Sequence, residues 1–422
     1  MNMKNDFIPG KTTVKYAGIV SDDKEREYLL DAVNEFWLTY GKWSTKFEND
    51  FANKFNVKYA YLVNSGSSAN LLAFMTLTSP LLKERRINRG DEVITVAACF
   101  PTTISPIIQY GAVPVFVDVE RSTVNIDINN LEKALSSKTK AVILAHTLGN
   151  PFNITEVKKF CDKHNLWLIE DNCDALGSKW NGQYTGTFGD IGTSSFYPAH
   201  HITTGEGGMT YTNNPLLSKI MLSLRDWGRD CWCKSGVDNT CGCRFTQQFG
   251  TLPIGYDHKY VYSHFGYNLK ATEMQAAIGC AQLEKIDTFI QARQHNYNRI
   301  KNNLKDNKYV RVFDKYDNAE PSWFGALIEV VSNTYFSRND ITKYLEDNKI
   351  QTRNLFAGNI IKHPCFDHLI CGNDYKVIGD LSVTNDVMNN FFWIGVYPGM
   401  TNDQIDYMTT TINNFVELKS RT

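Results

Sequence analysis

The sequence predicts an α/β fold built on a mostly parallel, doubly wound sheet. Short apolar runs of strand length, such as Val113 to Val117 and Ala141 to Ala145, alternate with segments of helix length. Strands that alternate with helices pair in parallel, with the helices packed on the faces of the sheet. Polar residues and glycines follow several of these strands, and ligands of such folds bind at the carboxyl ends of the strands.

Composition and charge narrow the class of protein. The chain has 422 residues, 42% of them hydrophobic and 21% charged, which is typical of a globular protein with a large core. A net charge of -1 argues against nucleic-acid and membrane-surface binding. No apolar run approaches the ~18 residues of a membrane span, and the N-terminus lacks a signal-peptide core. Ten cysteines without a secretory signal indicate a reducing compartment, so we expect a cytoplasmic location.

The elements follow a polar N-terminal arm, residues 1–20. The first helix carries an apolar stripe formed by Leu29, Leu30, Val33 and Trp37, and Gly41 ends it. In chain order, helices are expected over residues 22–40, 44–55, 71–77, 154–164, 273–304, 338–348 and 401–416, and strands over residues 59–63, 93–97, 113–117, 141–145, 166–169, 194–197 and 326–331.

A small polar turn joins the strand at 59–63 to the next helix and contains Gly66, Ser67 and Ser68. Free amides and the helix dipole favour an anion at such a helix N-terminus, so the pattern is typical of a phosphate site. An ordinary N-cap gives the same pattern, and the turn by itself favours neither interpretation.

The stretch SSFYPAHHITTGEGG, from Ser194 to Gly208, combines a strand end, two histidines and a glycine-rich turn. Pro198 ends the strand because it cannot donate a ladder hydrogen bond. The glycines permit close approach of the backbone to a ligand. For an isolated pair, His200 and His201 would most simply be loop or core histidines.

This stretch resembles the cofactor-lysine motif, S-F-x-P-x-K-N followed by G-E-G-G, of the DegT/DnrJ/EryC1/StrS sugar aminotransferases, which are fold-type I pyridoxal phosphate enzymes. His200 stands at the lysine position, and His201 at the asparagine position. A lysine amine forms a Schiff base with the cofactor aldehyde, and an imidazole cannot. The resemblance therefore implies pyridoxamine phosphate held noncovalently, with His200 as a general base and His201 in a structural role.

The same resemblance implies further contacts to the cofactor. Asp171 would keep the pyridine nitrogen protonated, Phe100 would stack on the ring, and Asn268 would reach the cofactor phosphate of a neighbouring subunit in a homodimer. Phe100 could instead be a core residue and Asp171 an N-cap. The full set of implied cofactor residues is Gly66, Ser67, Ser68, Phe100, Asp171, Asp174, Ser195 and Asn268. The family motif around Asp171 departs from this chain at Cys173 and Asp174.

The resemblance also implies the domain organisation. Residues 1–280 would form the N-terminal arm and a large cofactor-binding domain with a sheet of the seven-stranded type, interrupted by a cysteine-rich insertion near 225–265. Residues 281–422 would form a connecting helix and a smaller C-terminal α/β domain. Its segment around Arg353 resembles the family's nucleotide-sugar loop, although Arg353 could also be a surface residue.

Two C-x-C pairs lie in the insertion, within thirteen residues from Cys231 to Cys243. Four soft ligands so close together could hold one zinc ion. The spacing C-x57-C-x-C-x7-C, formed by Cys173, Cys231, Cys233 and Cys241, is similar to that of the pyridoxamine-dependent 3-dehydrases of 3,6-dideoxysugar synthesis within this family, which hold a 2Fe–2S cluster. Cys243 would then be a spare thiol, although it could take the place of one of these four cysteines as a ligand.

This second resemblance implies a function. The enzyme would remove the C3 hydroxyl of a nucleotide-linked 4-keto-6-deoxyhexose, with CDP-4-keto-6-deoxy-D-glucose favoured over a TDP sugar, in 3,6-dideoxysugar and lipopolysaccharide O-antigen biosynthesis. An NAD(P)H-dependent flavin or iron–sulfur reductase would supply electrons through the cluster. The alternatives are a cluster-free 3-dehydratase with cysteine-bound zinc, an ordinary aminotransferase that uses another lysine, and a non-enzymatic binding protein.

Overall fold

The computed structural model describes residues 7–233, 236–332 and 334–421. Its helices are α1 (Asp23–Glu35), α2 (Lys42–Phe55), α3 (Gly66–Thr76), α4 (Pro101–Tyr110), α5 (Leu131–Ala134), α6 (Ile154–Lys163), α7 (Pro215–Arg225), α8 (Glu273–Leu283), α9 (Ile286–Leu304), α10 (Arg338–Asp347), α11 (Ser382–Asn390) and α12 (Asn402–Ser420). Its strands are β1 (Tyr59–Val63), β2 (Glu92–Val96), β3 (Val113–Val117), β4 (Thr139–Ala145), β5 (Trp167–Asp171), β6 (Lys179–Trp180), β7 (Gln183–Tyr184), β8 (Ile191–Ser195), β9 (Gly208–Thr212), β10 (Val310–Val312), β11 (Ala319–Glu320), β12 (Gly325–Val330), β13 (Thr352–Arg353), β14 (Lys376–Val377) and β15 (Phe391–Gly395).

The largest sheet has the strand order β1-β9-β8-β5-β4-β2-β3-β14. Strands β8, β5, β4, β2 and β3 run parallel, and β9 is antiparallel to both β1 and β8. Seven of these strands precede residue 213, and the two-residue strand β14 adds an eighth from the C-terminal part of the chain. The predicted α/β fold with a mostly parallel sheet is therefore confirmed.

The C-terminal part contains a second, antiparallel sheet in the order β10-β12-β15-β13. Its own apolar core joins α9, α10 and α12 to this sheet and includes Val14 of the N-terminal arm. Val14 also bridges to Ile350, so the arm packs on the C-terminal part. The boundary at residues 280 and 281 stays a prediction.

The helix predicted over residues 273–304 is two helices, α8 and α9. The chain changes direction at Glu284 and Lys285, whose side chains are paired with residues of α1 and its N-cap. Lys285 binds Glu25, and Glu284 pairs with Lys24. These ion pairs hold the break between the helices against α1.

The first helix is shorter than predicted, because Phe36 adopts a left-handed conformation at its C-terminus. Most of its apolar stripe does not pack on the core of the chain, although Leu29 is half-buried. Leu30, Val33 and Trp37 are all exposed. A row of exposed apolar side chains of this kind is typical of a surface that contacts another molecule.

The parallel strands bring several chain segments to one edge of the large sheet. The carboxyl ends of β1, β5 and β8 meet there, because β1 and β5 both run in the direction of β8. Polar residues that follow these strands are thus placed side by side, as expected for a ligand site. Among the residues that the structure describes, no helix is both long and apolar enough to cross a bilayer.

A buried ion pair fixes the base of the cysteine-rich insertion. Arg225, the last residue of α7, donates from Nη1 to Glu48 Oε1 at 2.7 Å and to the Leu62 carbonyl at 3.3 Å. The same Glu48 oxygen accepts from the Leu62 amide at 2.8 Å. The Arg225 carbonyl accepts from the Leu269 amide at 3.1 Å, so both ends of the insertion are joined at this point.

We expect Arg225→Met to destabilise the fold by about 3–5 kcal/mol, because the change leaves the Glu48 carboxylate buried without its cation. Urea unfolding followed by circular dichroism measures this loss. Lys158→Met, which breaks a partly exposed pair with Asp162, is the matched control and should change the midpoint little. An unchanged midpoint for Arg225→Met would show that the buried pair contributes nothing net.

Candidate active site

A cavity of about 830 Å³ opens at the carboxyl ends of the parallel strands. Its walls come from both parts of the chain: the N-terminus of α3, the ends of β5 and β8, and residues near β12, β13 and β15. Gly66, Asp171 and His200 all line it, so the structure brings together residues from three separate sequence motifs.

The Asp171 carboxylate is held at the floor of this cavity and is only 4% exposed. Oδ2 accepts from Asn70 Nδ2 at 2.8 Å and from Thr103 Oγ1 at 2.7 Å. Oδ1 accepts from the backbone amide of Cys173 at 3.1 Å. Three donors aimed at one buried carboxylate satisfy its oxygens and fix its direction.

The N-terminus of α3 forms the cavity wall beside Ser195. Ser65 caps the helix, and its Oγ accepts from the Ser68 amide at 3.0 Å. Gly66 and Ser67 line the cavity with backbone amides of the first helical turn, whereas the Ser68 amide is occupied by the cap. A Cβ on Gly66 would lie 2.4 Å from Ser195 Cβ, so only glycine permits this close approach of the helix to β8.

His200 lies in the cavity wall, and its side chain is 15% exposed. Its Nδ1 is 3.6 Å from Asp174 Oδ1 and has no hydrogen-bond partner in the described structure. Its ring packs against Phe324, with centroids 5.1 Å apart. Burial lowers the pKa of His200 to about 4, although the nearby Asp171 acts in the opposite direction. The imidazole is therefore neutral at neutral pH and able to accept a proton.

Asp174 and Arg293 are titratable groups packed beside His200. Burial, followed by the nearby Asp171, raises the pKa of the Asp174 carboxyl well above its usual range. Burial lowers the pKa of Arg293 to about 9, and Asp174 opposes that shift. Arg293 Nη2 donates to the His200 carbonyl at 3.0 Å, and Nη1 donates to the Trp323 carbonyl at 3.0 Å. Helix α9 thus fixes the backbone of His200.

The remaining residues predicted near the cofactor occupy different positions. Ser195 and Phe100 line the cavity, where Phe100 is half exposed and meets Phe356 edge to face at 6.0 Å. His201 points away from it, and its Nε2 donates to the Ser322 carbonyl at 2.7 Å. Asn268 is exposed, does not line the cavity of its own chain, and accepts from Lys270 Nζ at 2.8 Å.

The four predicted cluster ligands do not come together within one chain. The sulfurs of Cys231, Cys233 and Cys241 lie within 4.8 Å of one another, whereas Cys173 lines the cavity near Asp171. Burial, followed by Asp171, raises the pKa of the Cys173 thiol well above its usual range. Burial raises the pKa of Cys233, but hydrogen bonds from Thr240 and the Cys241 backbone outweigh it and lower the value to about 6.

The sequence did not predict roles for Asn70, Thr103 and Arg293. Each of them donates a hydrogen bond to a predicted site residue. Asn70 stands one helical turn after Gly66, and that i, i+4 spacing is a signal that places both on one side of α3. Thr103 and Arg293 carry no such signal, because they approach Asp171 and His200 from distant parts of the sequence.

The cavity fits a pyridine phosphate that is bound without a covalent link. The open amides at the start of α3 are suited to a phosphate, and the clamped Asp171 is suited to a protonated ring nitrogen. None of the described residues that line the cavity is a lysine. These lining residues therefore cannot form a Schiff base with the cofactor.

The model of the DegT/DnrJ/EryC1/StrS aminotransferase family matches residues 20–413. The chain is 50% identical to lipopolysaccharide biosynthesis protein RfbH of Salmonella typhimurium, over 98% of this chain and 94% of that one. It is 48% identical to dTDP-4-dehydro-2,6-dideoxy-D-glucose 3-dehydratase of Saccharopolyspora spinosa, over 98% and 89%. The solved structure of Escherichia coli GDP-4-keto-6-deoxy-D-mannose-3-dehydratase with bound hydrated pyridoxal phosphate is similar, with a TM-score of 0.85, 30% identity and coverage of 95% and 99%.

We expect the buried His200 to make stability pH-dependent. Its pKa of about 4 lies below the ordinary value of about 6.5, so the unfolded chain binds the proton more readily between these values. Stability should therefore fall as pH falls from about 6.5 to 4, by up to about 3 kcal/mol from this group. Urea midpoints measured across this range should fall less steeply for His200→Asn than for the wild type.

His295→Asn, which removes an exposed imidazole, is the control for that experiment. It should keep the pH dependence of the wild type. If His200→Asn also kept the wild-type slope, the imidazole would not be held neutral by burial.

Proposed function

Because this chain belongs to the DegT/DnrJ/EryC1/StrS aminotransferase family, we propose that it uses pyridoxamine phosphate to remove the C3 hydroxyl of a nucleotide-linked 4-keto-6-deoxyhexose. Its relatives give its broad class, which is that of enzymes that use pyridoxal phosphate to modify nucleotide sugars. The choice of dehydration over amino transfer is our proposal.

One observation carries this choice: His200 occupies the motif position of the cofactor lysine and lines the cavity, and no lysine is found among the described lining residues. Amino transfer by this family depends on a lysine that forms and breaks a covalent bond with the cofactor. A neutral imidazole can take and return a proton but cannot form that bond. The names of the dehydratases among the relatives support the same choice.

Bound pyridoxamine phosphate would supply a primary amine for the 4-keto group and an aromatic ring that accepts negative charge. The residues of the chain would act around it. The amides of Gly66 and Ser67 would bind the phosphate, and Asp171, fixed by Asn70 and Thr103, would hold the proton on the ring nitrogen. Phe100 would cover one face of the ring.

His200 would move the proton that the reaction requires. Its neutral imidazole would accept a proton from the carbon that bears the amine, and Arg293 would keep the residue in place through its backbone carbonyl. The proton held on His200 would then be available to the C3 hydroxyl, which would leave as water. The cavity of about 830 Å³ is large enough for the cofactor and a sugar nucleotide.

Arg353 is the cation that the C-terminal part contributes to the cavity wall. Its guanidinium stacks on the Tyr16 ring at 3.9 Å, and Nη1 donates to the Thr352 carbonyl at 2.6 Å. We propose that it binds a phosphate of the nucleotide, since a planar guanidinium pairs with phosphate oxygens. The names of the relatives include both dTDP and GDP sugars, so they do not identify the nucleotide that this chain binds. We would test CDP-4-keto-6-deoxy-D-glucose before the dTDP and GDP sugars.

The electron-transfer part of the sequence-based hypothesis depends on the cysteine spacing and on the resemblance to the 3-dehydrases. The 2Fe–2S cluster and the flavin or iron–sulfur reductase have no support in the names of the relatives. Within one described chain the four thiols do not fit such a cluster, because Cys173 is apart from Cys231, Cys233 and Cys241. The dehydration proposed here uses no step through a cluster.

We expect His200→Asn to slow exchange of the pyridoxamine methylene proton with deuterated water by about a hundredfold or more, because a positioned general base contributes about that much. Mass spectrometry of the cofactor, after incubation with CDP-4-keto-6-deoxy-D-glucose, measures the exchange. His201→Asn removes the neighbouring imidazole that points away from the cavity and should retain exchange. Exchange at the wild-type rate in His200→Asn would refute the proposed role.

The same preparation separates dehydration from amino transfer. Borohydride reduction should leave the cofactor free of the polypeptide, because the lining residues offer no amine. A cofactor covalently attached to any lysine after reduction would favour the aminotransferase instead.

We expect Thr103→Val to weaken pyridoxamine phosphate binding by roughly tenfold or more. The change removes a 2.7 Å hydrogen bond to the Asp171 carboxylate, and a hydrogen bond to a charged group contributes about 1.5–3 kcal/mol. Fluorescence titration measures the affinity. Thr102→Val alters the adjacent lining residue, whose side chain has no hydrogen bond to Asp171, and should bind like the wild type. Equal affinities for the two variants would remove Asp171 from the cofactor site.

A further inference from the structure

The N-terminal arm contributes one aromatic side chain to the wall of the candidate active site. Tyr16 lines the cavity together with Arg353 and Trp393 of the C-terminal part. Tyr16 precedes residues 20–413, the segment that the family model matches, so the family motifs do not cover it. Its role must therefore be inferred from its contacts.

Arg353 is the only lysine or arginine among the described residues that line this cavity. Three carboxyl groups, those of Asp171, Asp174 and Glu206, line it as well. A nucleotide sugar carries negative charge on both of its phosphates, so its binding depends strongly on the cation that can meet them. The direction in which the Arg353 guanidinium points should therefore affect the affinity for the nucleotide.

Few contacts from its own strand hold the Arg353 side chain in place. The residue is exposed and lies on the two-residue strand β13, where Nη1 donates to the Thr352 carbonyl at 2.6 Å. Among the described residues, no carboxylate forms an ion pair with it. An arginine side chain loses much rotamer freedom when it is fixed, so a further contact is needed to hold one orientation.

The Tyr16 ring supplies that contact. The guanidinium carbon of Arg353 lies over this ring, 3.9 Å from its centroid. A guanidinium on an aromatic face is attracted by the ring, and the N–H groups at its edge stay available to phosphate oxygens. Trp393 meets the same ring edge to face, with centroids 5.5 Å apart. The tyrosine ring thus contacts both the cation and the indole in the cavity wall.

The backbone of the arm fixes Tyr16 beside the segment that carries Arg353. The Val14 carbonyl accepts from the Gln351 amide at 3.0 Å, and the Tyr16 amide donates to Gln351 Oε1 at 3.3 Å. A Cβ on Gly395 of β15 would lie 2.4 Å from the Tyr16 carbonyl oxygen, so glycine is required for this close approach of the arm. The ring and the guanidinium are therefore placed by the same packed segment.

We propose that Tyr16 is a positioning residue, whose ring directs the Arg353 guanidinium to a phosphate of the nucleotide sugar. This inference rests on the proposed function, which assigns a nucleotide phosphate to Arg353. The face of the ring makes the contact, so the phenol hydroxyl is not required. Tyr16 acts on nucleotide affinity through Arg353, without touching the reacting atoms of the sugar.

Calorimetric titration of the pyridoxamine-phosphate-loaded enzyme with CDP, dTDP and GDP tests this role. The nucleotide that the wild type binds most tightly is then titrated into each variant. We expect Arg353→Met to weaken binding by about tenfold or more, because hydrogen bonds to a charged phosphate are lost. Tyr16→Leu should weaken it by about fivefold, because the contact between guanidinium and ring is lost.

The double variant Tyr16→Leu/Arg353→Met separates a positioning role from a direct one. Its affinity should equal that of Arg353→Met alone, because the ring acts through the arginine. Tyr16→Phe keeps the stacked face and should bind like the wild type. Tyr110→Leu removes a ring that lies 5.6 Å from the Arg89 guanidinium, outside the cavity, and is the matched control that should also bind normally. Circular dichroism checks the fold of each variant.

The possible failures are distinguishable. Wild-type affinity in Tyr16→Leu, with weakened binding in Arg353→Met, would refute the role of Tyr16 and leave the proposed function intact. Weakened binding in Tyr16→Phe, or additive losses in the double variant, would indicate direct contact of the tyrosine with the nucleotide and would also refute it. Wild-type affinity in Arg353→Met, or a wild type that binds none of the three nucleotides, would overturn the assignment of a nucleotide phosphate to Arg353, and this inference with it.

Discussion

The fixed Asp171 carboxylate organises the centre of the protein. It joins three elements that the chain order keeps apart, because Asn70 on α3, Thr103 on α4 and the backbone after β5 all donate to it. A buried charge without such donors would be too costly to retain. The side chains beside it are adjusted to its negative charge: it raises the pKa of Asp174 and Cys173 in addition to the effect of burial.

The protonation state of His200 depends on the same combination of burial and neighbouring carboxyl groups. A buried imidazole between two carboxyl groups would ordinarily gain a proton, but burial dominates and lowers its pKa. Arg293 supplies the compensating cation behind the site and uses its donors on backbone carbonyls. The neutral imidazole is therefore a property of its surroundings, which include Arg293 of α9.

The sequence was informative where function depends on contiguous motifs. Gly66, Asp171 and His200 each follow a recognisable strand, and parallel pairing then requires them to meet at one edge of the sheet. It was uninformative where position depends on packing between distant segments. The spacing of Cys173 from Cys231 gives no distance in space, and the structure places Cys173 in the cavity and Cys231 in a separate group with Cys233 and Cys241. The apolar stripe of α1 indicated a helix correctly, but periodicity does not reveal whether the surface it meets belongs to the same chain.

The short strand β14 limits how the two parts of the chain can move. Lys376 and Val377 pair with β3 of the large sheet, and Asp118, just after β3, accepts from the Val383 and Thr384 amides at the start of α11. Hinged closure over a ligand would have to break both attachments. These attachments therefore oppose a hinge movement between the two parts, and they favour a cavity whose width changes little when a ligand binds.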